Sequence, residues 1–314
     1  MSSCCGRRVG WRATPAAPPV GTHQVAEPAP VSSHELPNPL EEKRRELRQQ
    51  ALTSVIEGDT TPQEIGGSTV VKVNDGAAPA APTSRSASAR RNRDQYVELS
   101  REQTDRVFVL LVEFGNERHP SYPDQDTDPD TPGPARFDGP LANEIPEPDR
   151  TVDNSTIWEP DFSRDYFQGL YFGTGRGVES MKTYYERQSS GRYSVEGQVT
   201  DWVKVPYNEA RYGRSNGYPC ADIVCDNTWA LVRDGMNQWA ADKAAAGATP
   251  EEIAAEIASY DQWDRYDFDG DGDFNEPDGY IDHMQIVHAG GDQADGDPWQ
   301  GEDAIWSHRW YAYV

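Results

Sequence analysis

Asp267-Phe268-Asp269-Gly270-Asp271-Gly272-Asp273-Phe274-Asn275-Glu276-Pro277-Asp278 is the stretch whose residue types and spacing point most directly to chemistry. Asp267, Asp269 and Asp271 stand at the first, third and fifth places of a twelve-residue loop, where alternate carboxylates can converge on one cation. Gly272 in sixth place permits the sharp turn such loops need. Asp273 can offer its backbone carbonyl in seventh place, Asn275 stands ninth, and Asp278 closes the loop in twelfth. Oxygen donors with neither His nor Cys among them favour Ca²⁺ over zinc or copper. An acidic, solvated turn is the plainer alternative, and the regular Asp/Gly alternation speaks against it. On the exit side Pro277 and Gly279 break any helix, and Gly279 to His288 alternates like a strand. The expectation is a calcium loop set between a helix and a strand, not a paired calcium sensor.

Other reactive residue types carry weaker signals. Cys220 and Cys225 bracket four residues and could close a short disulfide loop in an oxidising compartment, or remain two thiols. Cys4 and Cys5 are adjacent and define no framework. His34-Glu35 opens like a zinc-protease motif, but Leu36-Pro37-Asn38-Pro39 supplies no second His and forbids the helix. His283 and His288 are five residues apart, which puts them on opposite faces of an ideal strand, so they read as core or surface histidines and not as metal ligands.

The elements that would position these residues can be read along the chain. Residues 1–35 are rich in Pro, Ala, Ser and Gly and read as disordered. Pro39 to Ile56 has Leu40, Leu47, Ala51 and Val55 on one helical face. Gly66 to Val73 reads as a short strand, and residues 76–93 as an Ala/Pro/Ser/Arg linker open to proteolysis. Arg106 to Phe114 is a near-continuous apolar run, the mark of a buried strand. Residues 119–162 are rich in Pro, Asp and Gly and read as a surface insert. A helix from Glu179 to Gly191, with Tyr184 and Tyr185 in the core, leads into a strand over 192–206. Helices over 226–246 and 250–260 precede the acidic loop. The 24 Pro and 27 Gly agree with long irregular stretches between these elements.

Charge is unevenly spread. Residues 1–93 hold 12 Lys and Arg against 9 Asp and Glu, while 94–314 hold 17 against 44. So acidic a body, without a basic stripe, excludes nucleic acid as a partner and suits an exported protein that uses divalent cations to relieve self-repulsion. No run of ~18 apolar residues could span a membrane. Met1 to Thr14 has Arg7 and Arg8 but no apolar segment after them, so no signal peptide is visible and the start reads as not the native one. The aromatic ending, Ile305 to Val314, reads as a cut through a folded element.

Several stretches, in order, resemble one family. Leu36-Pro37-Asn38-Pro39-Leu40-Glu41-Glu42-Lys43-Arg44 is similar to the propeptide of the immune inhibitor A family of secreted bacterial zinc metallopeptidases. Ser180 to Tyr193 is similar to its helix–strand segment, Asp267 to Gly290 to its calcium loop, and Asp303 to His308 to the segment just after. The resemblance implies an α/β (α+β), metzincin-like metallopeptidase domain over residues 94–314, preceded by a helical propeptide at 36–75. It also implies a zinc ion, bound Ca²⁺, protein or peptide substrates, secretion and a monomeric state. Zinc chemistry in the family needs His-Glu-x-x-His, and none of His23, His34, His119, His283, His288 or His308 begins such a motif. No catalytic residue or zinc ligand can therefore be assigned here. The expectation is the front part of a calcium-stabilised zinc endopeptidase, inactive by itself. The alternative is a non-catalytic, calcium-dependent binding module derived from the protease.

Overall fold

The computed structural model describes residues 39–73, 95–117, 139–144, 146–213, 226–295, 297, 300, 303–307 and 309. The stretch 1–35, the 76–93 linker, Cys220, Cys225 and His308 lie outside the described residues, as does most of the 119–162 insert before residue 139. Element order begins with helix α1 (Pro39–Glu57) and strands β1 (Gln63–Ile65), β2 (Ser68–Val73), β3 (Gln95–Arg101) and β4 (Thr104–Phe114). Helices α2 (Arg164–Phe172) and α3 (Met181–Gln188), strand β5 (Ser194–Val205), and helices α4 (Glu209–Gly213), α5 (Asp226–Ala245) and α6 (Pro250–Ala258) follow. Strand β6 (Met284–His288) is the last described strand, and a single 3-10 turn (Gln293–Asp295) follows it, so the fold mixes helices with two small sheets.

The apolar run of β4 becomes the centre of a three-stranded parallel sheet in the order β5-β4-β6. A strand covered on both faces must be apolar on both, which is why Val109 to Val112 are without exposure. Phe108, Leu110, Val112 and Phe114 face one core with Leu231 and Trp239 of α5, Tyr212, Tyr260 and Ile305. Val107, Val109 and Leu111 face the other with Phe167 of α2 and Val195 and Val199 of β5. Strand β5 serves both cores because its register slips: Val109 pairs with Val199, but Leu111 pairs with Trp202. One extra residue in a strand reverses the facing of all that follow. Thus Val199 and Trp202 lie in one core and Val203 and Val205 in the other. The displaced Thr200 is not wasted, since its Oγ1 accepts a hydrogen bond from the Leu111 N–H at 3.1 Å.

Helix starts follow the local chemistry. Ser180 and Thr183 form a reciprocal capping box on α3, and Thr249 and Glu252 form another on α6, behind Pro250. The tyrosines of α3 differ from expectation. Tyr184 is 57% exposed and Tyr185 39%, and Met181 is the residue that packs on the core. A two-turn helix offers the sheet only a narrow stripe, and Tyr185 stacks edge-on against Tyr193 at its margin instead. The strand expected from Gly279 begins only at Met284, after the acidic loop has turned.

A second, antiparallel sheet in the order β1-β2-β3 was not anticipated from sequence beyond its middle strand. Its first two strands come from the expected propeptide-like segment and its third from the start of the body, with Val71 opposite Val97 and Val73 opposite Gln95. Helix α1 covers it, burying Ala51 against Val71, Val73 and Val97. No helix among the described residues is long and apolar enough to cross a membrane.

Leu110 should be the most sensitive position of the larger core. Leu110→Ala is expected to cost about 2–5 kcal/mol in urea unfolding; a loss well under about 1 kcal/mol would show that β4 is not the centre of a packed sheet.

Candidate metal centre

Helix α6 ends at Ala258, and the chain then descends through Tyr260, buried in the larger core, into the acidic loop. Strand β6 re-enters the sheet beside β4, with Phe108 opposite Met284. Both ends of the loop are therefore fixed to the core, and the carboxylates between them have little room to separate.

Carboxylate oxygens of Asp264, Asp267 and Asp269 lie within 4.8 Å of one another, and so do those of Asp269, Asp271 and Glu276. Oxygens on opposite sides of a bound Ca²⁺ stand roughly 4.6–5.2 Å apart, so each group has a spacing such an ion accepts. Asp269 belongs to both. Backbone turns aim these side chains. Asp267 takes φ 50°, Gly270 φ 79° and Gly272 φ 86°. The Gly272 N–H donates to Asp267 Oδ1 at 3.0 Å, and the Asp271 N–H donates to Asp269 Oδ1 at 3.1 Å. Gly272 is required for space as well as conformation, since a Cβ there would sit 2.8 Å from the Tyr96 ring.

The electrostatics register the crowding. Burial raises the Asp267 carboxyl above its ordinary range, the Gly272 hydrogen bond opposes this, and repulsion from Asp264, Asp269 and Asp271 adds to it. Asp264 is raised by burial, against hydrogen bonds from the Phe268 and Tyr266 N–H groups, and further by Asp269. Glu276 is raised by desolvation and then by Asp269, Asp271, Asp273 and Asp264.

Of the residues singled out from sequence, Asp267, Asp269 and Asp271 are brought together. Asp273 lies in neither group, and its Oδ1 accepts from the Asn275 N–H at 3.0 Å. Asn275 turns its amide away from the loop. Its Nδ2 donates to Gly66 O at 2.7 Å and Ser68 Oγ at 3.0 Å, and its Oδ1 accepts from Arg101 Nε at 3.3 Å. Asp278 also lies in neither group and accepts from the Tyr280 N–H at 2.9 Å. Sequence spacing missed Asp264 and Glu276. Asp264 precedes the twelve-residue frame, and Glu276 occupies a place for which the frame assigns no ligand; the density of acids from Asp261 to Asp278 was the available signal.

One polar cluster lies beside the loop and a second lies where β6 ends. Asp105, on β4, accepts from Tyr193 Oη at 3.0 Å, pairs with Arg101 at 3.2 Å and meets His283 Nε2 at 3.2 Å. Burial opposes its ionisation, but the His283 hydrogen bond and the Arg101 charge prevail and hold it below the ordinary range. In the second, Glu209 is fully buried; Oε1 accepts from the Ile305 N–H at 3.1 Å, while Oε2 has no hydrogen-bond partner among the described residues. Burial, with Asp297 and Asp292 adding repulsion against the Ile305 bond, pushes Glu209 well up.

A family profile described as Immune inhibitor A peptidase M6, catalytic domain, matches residues 93–314. Immune inhibitor A of Bacillus thuringiensis subsp. alesti is 32% identical over 213 residues, covering 66% of this chain and 25% of that protein. Pre-pro-metalloprotease PrtV of Vibrio cholerae serotype O1 is 33% identical over 220 residues, 68% of this chain and 20% of that protein. The chain thus spans a quarter or less of the length of these relatives.

Asp282, just beyond the loop, supplies a test of this electrostatic account. Burial pushes its carboxyl up to about 6, against the hydrogen bond from the Gln262 N–H. Between its ordinary value of 3.8 and about 6 the folded chain holds a proton that the unfolded chain has released, so stability from this group falls as pH rises through that window. In Ca²⁺-containing buffer, Asp282→Asn should match the parent near pH 4 in urea unfolding and become the more stable of the two by pH 6–7. Parallel stability curves would contradict the assignment.

Proposed function

The chain belongs to the immune inhibitor A family of peptidases, and from that premise we propose that it is part of a secreted zinc endopeptidase with a metzincin-like body, acting on proteins or peptides. In this reading residues 267–278, helped by Asp264 and Glu276, bind Ca²⁺ and clamp the body, and residues 36–75 serve as its propeptide. The protein works as a monomer. The observation that carries the calcium clamp is the pair of carboxylate groups sharing Asp269 between two anchored ends of chain. Five acids at this spacing repel one another, and a hard dication matched by oxygen donors offsets that repulsion. When bound, Ca²⁺ would supply charge neutralisation and rigidity, and Asp264, Asp267, Asp269, Asp271 and Glu276 are the described residues that would hold it.

A metallopeptidase family implies a metal such as zinc, but the histidines present do not fit one. No His-Glu-x-x-His occurs among the 314 residues. Of those described, His283 Nε2 is engaged with Asp105 and His288 Nδ1 with Ala289 O at 3.0 Å. Peptide hydrolysis is accordingly assigned to no residue here, and this stretch by itself is proposed to be inactive. Cys220 and Cys225 are proposed to be bonded in the exported protein, a pairing that mass mapping without reductant would reveal.

Thermal unfolding tests the clamp. At Ca²⁺ a hundredfold above the dissociation constant, mass action should add about 2.7 kcal/mol and raise Tm by several degrees, and a chelator should remove the gain. An unchanged Tm would refute the calcium reading, and cleavage of casein by the purified 314-residue chain would refute the inactivity.

A further inference from the structure

The acidic loop is also the surface on which the N-terminal unit, residues 39–73, is seated. Asn275 makes the contact with its Nδ2, which donates to Gly66 O and Ser68 Oγ, while its Oδ1 is held by Arg101 Nε of the body's own β3. Ser68 Oγ donates onward to Glu98 Oε1 at 2.7 Å, and Trp263 Nε1, four residues before the loop, donates to Glu98 Oε2 at 3.2 Å. Arg44 of α1 lies over the Trp263 ring at 5.2 Å. The fit at the turn between β1 and β2 is close. Gly66 has φ 57°, and any Cβ there would overlap the Asp273 carboxylate, whose Oδ1 fixes the Asn275 N–H. Elsewhere the unit is held by strand pairing of β2 to β3 and by Arg48, whose guanidinium donates to Glu98 O at 2.8 Å.

We propose that the loop is a calcium-dependent docking surface for the chain's own residues 39–73, so that ion binding and retention of this unit strengthen one another. This rests on the calcium reading above. The segment that carries the Asn275 amide is tied to the loop's own carboxylates: the Asn275 N–H donates to Asp273 Oδ1 at 3.0 Å, and the Asp273 N–H donates to Asp271 Oδ1 at 2.7 Å. An ion that fixes that segment fixes the dock, and by linkage the docked hairpin raises ion affinity by the same factor. Cutting the linker at 76–93 therefore leaves a two-chain complex in the presence of Ca²⁺, and loss of the ion releases the N-terminal piece.

The test uses the full chain with a site-specific protease sequence placed in the 76–93 linker. After cutting, the N-terminal fragment should co-elute with the body in Ca²⁺, and its dissociation rate should rise at least about fivefold in chelator. Equal dissociation rates in both buffers, with Ca²⁺ uptake by the intact chain still measurable, would overturn the dock and leave the calcium reading standing; no uptake at all would overturn both. Independently, Gly66→Ala should weaken Ca²⁺ binding at least about fivefold. Gly58→Ala, also at positive φ but with nothing within 4 Å, should leave it unchanged. Equal affinity in both variants would overturn the coupling. Should Gly66→Ala fail to fold, the cut-chain experiment decides alone.

Discussion

Mutual repulsion among carboxylates confined to a short loop is the constraint on which the rest depends. Asp264, Asp267, Asp269, Asp271 and Glu276 cannot move apart freely, because Tyr260 is buried before them and β6 is paired to β4 after them. Backbone N–H groups at Gly272, Phe268 and Asp271 satisfy some of the oxygens, but the carboxyls of Asp264, Asp267 and Glu276 still sit above their ordinary range. In the calcium reading, an ion supplies the counter-charge for these gathered acids. Of the described cations nearby, Arg101 pairs with Asp105 and lies over Trp263, and Arg265, over the same ring at 4.2 Å, acts on Asp278. A divalent ion fits the deficit in charge and in donor type.

The sheet is what makes the confinement possible. Strand β4 is buried on both faces, so its neighbours are fixed in register, and β6 in turn fixes the loop's exit. The slip in β5 lets one strand close both cores, with α2 on one side and α5 on the other. The second sheet then couples the N-terminal segment to the body. Its strand β3 runs directly into β4 through Glu102 and Gln103, so Glu98 and Arg101 reach from one sheet to the loop of the other.

Much of this was legible in the sequence, for identifiable reasons. A near-continuous apolar run marked β4, a helical face closed by Gly191 marked α3, the Thr249-Pro250 cap marked α6, and Asp/Gly alternation marked the loop. The break in alternation between Val199 and Trp202 was visible too, although only pairing with β4 reveals it as a bulge. What escaped detection depends on partners distant in sequence. Strand β3, Gln-Tyr-Val-Glu-Leu-Ser-Arg, alternates weakly and becomes a strand by pairing with β2. Helix α4 places charged Glu209 and Arg211 in buried positions, which no hydrophobic pattern predicts. The amide of Asn275 departs from a generic loop template because Gly66 and Ser68 are packed against it, and Asp264 and Glu276 stand at places that template does not use. No zinc site is legible, since His-Glu-x-x-His does not occur among these residues.

Isothermal titration of Ca²⁺ into the folded, chelator-stripped chain, run beside Asp269→Asn, addresses the central claim most directly. Asp269 is the member shared by both carboxylate groups. The account predicts saturable uptake by the parent and at least a tenfold weaker affinity in the variant, about 1.4 kcal/mol. Identical isotherms for the two proteins, or no heat of binding in either, would contradict it.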